Sequence, residues 1–332
     1  MTEKEKNIEK KTCPNCGSKK LIKKGIRKNK LKEVQLFFCK DCSKKFTDDN
    51  FKNRTYNIAQ IVKAITLHNK GFTIEDCSDK TDIPSSTISN WILEYKDIFD
   101  LYRFSGAIRK FKLQNKIIET HKYDHGVIYL YQHHKFKLEK ISKPALKGLY
   151  KYLNLVKSGK IDKQVFANSL KRASDAKLNI LDNLNVVKTN NNICTIAKMA
   201  VEIASENRKR HWFVEKTMLD NDTATIATEI PVYLDTSHSN MPFLKSLATT
   251  DGFITGHIDI LQVKNDCVYI LDYKPNAQKE KPLGQLFVYA CCLSRLAGVH
   301  FAKIKLAWFD ESDYFETDAM DIYKNVMKIF KR

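Results

Sequence analysis

The sequence predicts an α+β, multidomain protein, and three observations carry that prediction. Two CxxC pairs near the N-terminus mark a small cysteine-held ribbon in residues 1–50. Three short helical stretches follow in residues 51–100. In residues 193–332 helical and strand-like runs alternate, which is the pattern of an α/β layer. Residues 101–192 between them are basic and read as mostly helical. A chain of 332 residues exceeds one ordinary core, so several domains are expected.

Composition narrows the class. Hydrophobic residues make up 43%, enough to bury a core. No apolar run reaches the roughly 20 residues of a membrane span, and "MTEKEKNIEKK" has no apolar segment behind it, so neither a membrane anchor nor a signal peptide is expected. The nine cysteines are then expected to be reduced, in a cytoplasm, and available to metals. Charge is uneven. Residues 1–200 hold 41 Lys and Arg against 20 Asp and Glu, whereas residues 201–332 hold 16 against 18. A basic front joined to a near-neutral back fits a polyanion-binding part joined to something else, and a nucleoid-associated location if that polyanion is DNA.

The ribbon comes first. Cys13-Pro-Asn-Cys16 and Cys39-Lys-Asp-Cys42 are separated by 22 residues. Two such pairs suit a tetrahedral four-thiolate zinc site, closed and structural because no coordination position stays open. So small a piece buries little apolar surface, and the metal would supply folding energy. The segment "LFFCKDCSKKFTDD" resembles the zinc ribbon at the front of many insertion-sequence transposases, over residues 12–49. That resemblance implies DNA contact, with Lys23, Lys24, Arg27, Lys28 and Lys30 at the phosphates.

The three helices follow. "NIAQIVKAITLHNKG" carries Ile58, Ile61, Val62 and Ile65 on a helical period, and Gly71 stops it. "TIEDCSDKTDI" makes a second helix, and "PSSTISNWILEYKDIF" a third that opens on Pro84 and Ser85. The spacing is similar to the helix-turn-helix of transposases and resolvases. Ser85, Ser86, Ser89 and Asn90 are then the exposed, groove-facing residues, with Ile88 and Trp91 inside. In the basic middle, "HKYDHGVIYLYQHHKFKLEKI" mixes rings and cations in a manner suited to nucleic acid. His133 and His134 read there as part of a solvated basic face rather than as metal ligands.

The C-terminal third carries the chemistry. "ICTIAKMAVEIASENRKRHWFVEKTML" reads as one long amphipathic helix, followed by three strands, a helix and a strand. Asp259 lies in the second strand, and Asp272 and Lys274 lie in the third. A hairpin around "KND" (264–266) brings the two carboxylates together, where they repel unless a divalent cation such as Mg²⁺ or Mn²⁺ joins them. Val268 and Ile270 precede Asp272 on one face and Leu271 is apolar on the other, as in a central strand.

The arrangement of Asp259, twelve intervening residues, then "DYK" at 272–274 resembles the PD-(D/E)XK nuclease superfamily. "QLFVY" at 285–289 resembles the extra motif of its RecB-like branch, over roughly residues 200–310. The resemblance implies a restriction-endonuclease-like mixed sheet flanked by helices, and metal-dependent phosphodiester cleavage. It makes Asp259 and Asp272 metal ligands, Lys274 the catalytic lysine, and Gln285 and Tyr289 orienting groups. His211, in an H-x-x-x-E helix pattern, is the favoured upstream ligand, then Glu229, then Glu202. Ile258 stands where the family commonly has proline. Cys291 and Cys292 are adjacent, and the cysteine spread that an iron–sulfur cluster needs is missing.

The expected function is therefore a Mg²⁺-dependent DNA nuclease of mobile-element or phage type, with structural zinc. A homodimer, common in the superfamily, is expected from the resemblance alone. Two other readings fit: a DNA-binding regulator on a nuclease-like scaffold, and an RNA-processing nuclease.

Overall fold

A computed structural model describes residues 13, 16–28, 33–47, 56–112, 116–124, 128–141, 144–161, 164–167, 186–237, 244–245 and 252–330. The chain divides into two compact units, Met1–Gln60 and Ile61–Arg332.

The first unit is a three-stranded antiparallel sheet, β1 (Leu21–Lys28), β2 (Glu33–Cys39) and β3 (Lys45–Thr47), in that order. Among the described residues its sheet core is Cys13, Phe37, Cys39 and Phe46, with the two rings stacked at 5.6 Å. Four side chains cannot offset the ordering of such a segment, which is why the cysteines matter. Gly25 sits at φ 94° beside a register shift in β1, a conformation open to glycine.

Three helices follow as expected: α1 (Ile58–Asn69), α2 (Ile74–Thr81) and α3 (Ser85–Glu94). Thr73 and Asp76 close a reciprocal capping box at the start of α2. Ile88 and Trp91 of α3 are buried, as the helical period requires. Arg109, on the short α4 (Ser105–Lys110), donates to the carbonyls of Gly71 and Phe72 and ties down the turn between α1 and α2.

An eight-stranded mixed sheet dominates the second unit, in the order β4-β5-β7-β8-β9-β10-β11-β6. Its strands are β4 (Ile118–Asp124), β5 (Ile128–His134), β6 (Val187–Thr189), β7 (Thr225–Asp235), β8 (Phe253–Lys264), β9 (Cys267–Tyr273), β10 (Ile304–Phe309) and β11 (Tyr314–Asp318). Only the β9–β10 pair is parallel among the pairings described. The sequence predicts residues 101–192 as mostly helical, yet they supply β4, β5 and β6. In "IETHKYD" and "IYLYQHH" charged, imidazole and ring residues fill both faces, so the strand period of two is hidden. The helices of this segment are short: α5 (Lys135–Lys140), α6 (Lys147–Lys157) and α7 (Gln164–Ala167).

The predicted hairpin is present. Asn265 and Asp266, at φ 51° and 58°, form the two-residue loop between β8 and β9, the left-handed pair that matches strand twist. The expected single long helix is instead two, α8 (Asn192–Ile203) and α9 (Arg210–Asn221). Between them the ladder breaks at Ser205 and Asn207, residue types whose short side chains compete for backbone hydrogen bonds. The Glu206 carboxylate pairs with Arg208 and Lys209 and fixes the bend.

Helix α10 (Leu283–Ala297) connects β9 to β10 and, with α6 and α11 (Ala319–Phe330), covers one core. Val268 and Ile270 of β9 and Leu286 and Phe287 of α10 are wholly buried in it. Alternation along β9 therefore delivers Asp272 to the α10 side. Helices α6 and α10 approach so closely that a Cβ on Gly148 would meet the Ala297 carbonyl oxygen at 1.9 Å. We expect Gly148→Ala to destabilise the second unit by about 1–3 kcal/mol through backbone displacement, read as a lower urea midpoint at unchanged slope.

Candidate functional site

The site forms where β8 and β9 stop pairing. The antiparallel register ends at Ile260↔Leu271, and the next step places Asp259 opposite Asp272. From α9, His211 reaches the same point. Ligand atoms of His211, Asp259 and Asp272 all lie within 4.8 Å of one another. Asp272 is 1% exposed, and its Oδ1 has no hydrogen-bond partner among the described residues. Its Oδ2 lies 3.0 Å from the Lys274 ammonium. A buried carboxylate costs several kcal/mol even when paired.

Two further acids crowd the position. Glu215, one turn beyond His211 on α9, is buried, and burial first, then the charges of Glu229 and Asp272, push its pKa well up. Burial pushes Glu229 up to about 7. Asp259 is raised by burial, then by Asp272, Glu215 and Glu229. Glu229 lies between the pairs Thr228↔Ile260 and Ile230↔Ile258, at φ 53°, a strained conformation for a side chain within a strand. Four carboxylates thus repel one another around one neutral imidazole. Burial lowers the His211 pKa more than Asp272 raises it, and its ring meets Tyr273 edge-on at 5.0 Å. An imidazole with carboxylates suits a divalent cation, and oxygen-rich sites suit Mg²⁺ or Mn²⁺.

Lys274 and the α10 pair complete the surroundings. Burial works against the Lys274 charge, but Asp272 outweighs it and the pKa is raised. Gln285 donates to the Tyr289 hydroxyl at 2.9 Å. The Tyr289 phenol pKa is pushed well up by burial, then by the charge of Asp259. The expected His211, Asp259, Asp272 and Lys274 are therefore brought together, with Glu229, Gln285 and Tyr289 at their edge. Glu202 lies exposed on α8 and is not in this cluster. Glu215 had a sequence signal, the last letter of the H-x-x-x-E pattern, but its burial was not visible there.

Elsewhere, Cys13, Cys16, Cys39 and Cys42 gather with sulfurs within 4.8 Å. Cys13 to Cys42 and Cys16 to Cys39 are each 3.6 Å apart, far beyond a disulfide. Tetrahedral ligands with metal–sulfur bonds of about 2.3 Å sit about 3.8 Å apart, so the cluster fits zinc. Backbone amides of Cys42, then Asp41, lower the Cys39 thiol to about 6 against the effect of burial. Lys23 and Lys24 are exposed on β1, while the side chains of Arg27 and Lys28, and all of Lys30, lie outside the described residues. On α3, Ser86 and Asn90 are exposed, Ser85 and Ser89 half-buried, and the Ser89 hydroxyl donates to the Ser85 carbonyl. No described helix is long and apolar enough to cross a membrane.

Helix α1 is fastened to the helix that carries His211. Thr66 Oγ1 and Asn69 Nδ2 both donate to Asn221 Oδ1, at 3.0 and 2.9 Å, and Lys70 pairs with Asp220 at 3.1 Å. The reading of His133 and His134 as a solvated face is corrected: both are 0% exposed. Both end β5 beside β7, where His133 lies by Lys157 of α6 and His134 accepts from the Lys137 amide at the start of α5, and the sequence gives no sign of that cover.

Comparison with protein-family models, with curated proteins and with solved structures returns no match.

The raised Glu229 pKa has a signed consequence. A carboxylate whose folded pKa exceeds its unfolded value stabilises the fold below the unfolded pKa and loses that stabilisation as pH rises through the folded one. With Glu215 and Asp259 beside Glu229, we expect thermal stability without divalent cation to fall between about pH 4.5 and 7. Thermal melts over that range should show Glu229→Gln flattening the fall, and Mn²⁺ should stabilise most above pH 7.

Proposed function

We propose that the chain is a divalent-metal-dependent DNA nuclease of the PD-(D/E)XK type. The single observation that carries this reading is the meeting of His211, Asp259 and Asp272 within 4.8 Å, with the Lys274 ammonium 3.0 Å from Asp272. Each residue comes from a different stretch of chain, and a stability role does not account for their convergence. Burying like charges together is costly unless a cation offsets it.

In this reading His211, Asp259 and Asp272 hold Mg²⁺ or Mn²⁺, which supplies Lewis acidity and an activated water. Asp272 keeps Lys274 protonated, so Lys274 acts as a fixed cation for charge developing on the phosphoryl oxygens. Gln285 holds the Tyr289 hydroxyl at the rim, where it orients the site or the strand being cut. Glu215 and Glu229 crowd Asp259 and would add negative charge to the site once a bound cation offsets the burial that raises their pKa values. The four-cysteine ribbon with exposed Lys23 and Lys24, and the exposed Ser86 and Asn90 of α3, would hold the DNA.

The test is cleavage of plasmid and single-stranded DNA with Mg²⁺ or Mn²⁺. Asp272→Ala and Lys274→Ala should each lower the rate by about 100-fold or more while DNA binding persists. Equal cleavage by all three proteins overturns the assignment. Calorimetric titration separates the rival DNA-binding regulator, which takes up no Mg²⁺ or Mn²⁺ at this site.

A further inference from the structure

A second group of ligands lies at the far end of the large sheet. Glu119 and His121 stand on one face of the edge strand β4, and the register places Glu119 opposite His133 of β5. Ligand atoms of the three lie within 4.8 Å of one another. His133 Nε2 and Glu119 Oε2 are 3.0 Å apart. Ligands on adjacent vertices around a metal with bonds of about 2.1 Å sit about 3 Å apart, so one ion could bridge this pair. The rings of His121 and His133 stack at 5.8 Å with 14° between planes.

Hydrogen bonding leaves this group incomplete. His133 is 0% exposed and its Nε2 faces the Glu119 carboxylate, while its Nδ1 and His121 Nε2 have no hydrogen-bond partner among the described residues. A buried polar atom without a partner costs about 1–3 kcal/mol. The Glu119 carboxylate lies against the ammonium groups of Lys135 at 2.6 Å and Lys157 at 3.0 Å. The group is separate from the nuclease-like site, since β7 lies between β5 and the strand of Asp259.

We propose that Glu119, His121 and His133 bind a divalent first-row transition metal that clips the edge strand β4 to β5. Two imidazoles with a single carboxylate suit Zn²⁺, Co²⁺ or Mn²⁺ and disfavour Mg²⁺ and Ca²⁺, which need more oxygens. Lys157 competes with the metal for Glu119. Its side chain is 39% exposed and can turn to water when the ion arrives.

The probe is Co²⁺ added to the full chain, with bound metal counted after dialysis and the variants measured beside the wild type. His121→Ala and His133→Ala should each hold one equivalent fewer than wild type, with the thiolate-to-cobalt absorption of the four-cysteine cluster unchanged. His121 is only half-buried, so its variant serves if His133→Ala misfolds. Lys157→Gln should bind this equivalent several-fold more tightly, which a merely structural ion-pair network would not produce. A metal count in His121→Ala equal to wild type, or an affinity in Lys157→Gln no higher than wild type, overturns the proposal.

Discussion

The constraint on which the second unit turns is the repulsion at the open end of the β8–β9 hairpin. The two-residue loop sets the register, and the register leaves Asp259 and Asp272 facing each other one step past the last pair. Neither can move away. Asp272 continues a strand face whose earlier members are locked against α10, and α9 closes the space with His211 and Glu215. A fold selected only for stability would fill this point with apolar side chains. The surrounding core, large and mostly apolar, is what tolerates the local cost.

That core also explains how distant segments come to share one site. His211 depends on the bend at residues 204–209, which turns α9 onto the sheet beside β7. Helix α9 is in turn held from its far end by Asn221 and Asp220, which receive α1. The helix that carries His211 at one end therefore carries the docking of the three-helix segment at the other. Its twelve residues span about 18 Å, short and stiff enough for a shift at one end to be felt at the other.

Legibility followed the range of the interactions involved. The cysteine pairs, the three short helices and the hairpin could be read because each is specified by neighbours in sequence. The meeting of Asp259 with Asp272 needed only the loop length and a period of two. Other features needed tertiary information. The strands β4 and β5 carry Glu119, His121 and His133 inward, beneath Lys157 of α6, so their alternation resembles no amphipathic pattern. The helix break at 204–209 has no proline or glycine to announce it. Glu215 and Glu229 were visible as letters, but their raised pKa values come from burial that only the packed sheet creates.

The Asn221 junction has a consequence for how such a protein can change over time. One amide oxygen accepts from both Thr66 and Asn69, and the amide nitrogen of Asn221 is spent on the Thr217 carbonyl. The inner side of α1 is therefore tied to an amide oxygen whose two lone pairs are both taken. The outer side of α3 carries no such tie at Ser86 and Asn90. Lineages descended from this sequence would be free to drift at those outer positions and would change Thr66, Asn69 and Asn221 only together. Grafting a foreign three-helix segment onto this sheet would succeed only if the graft brought that donor pair with it.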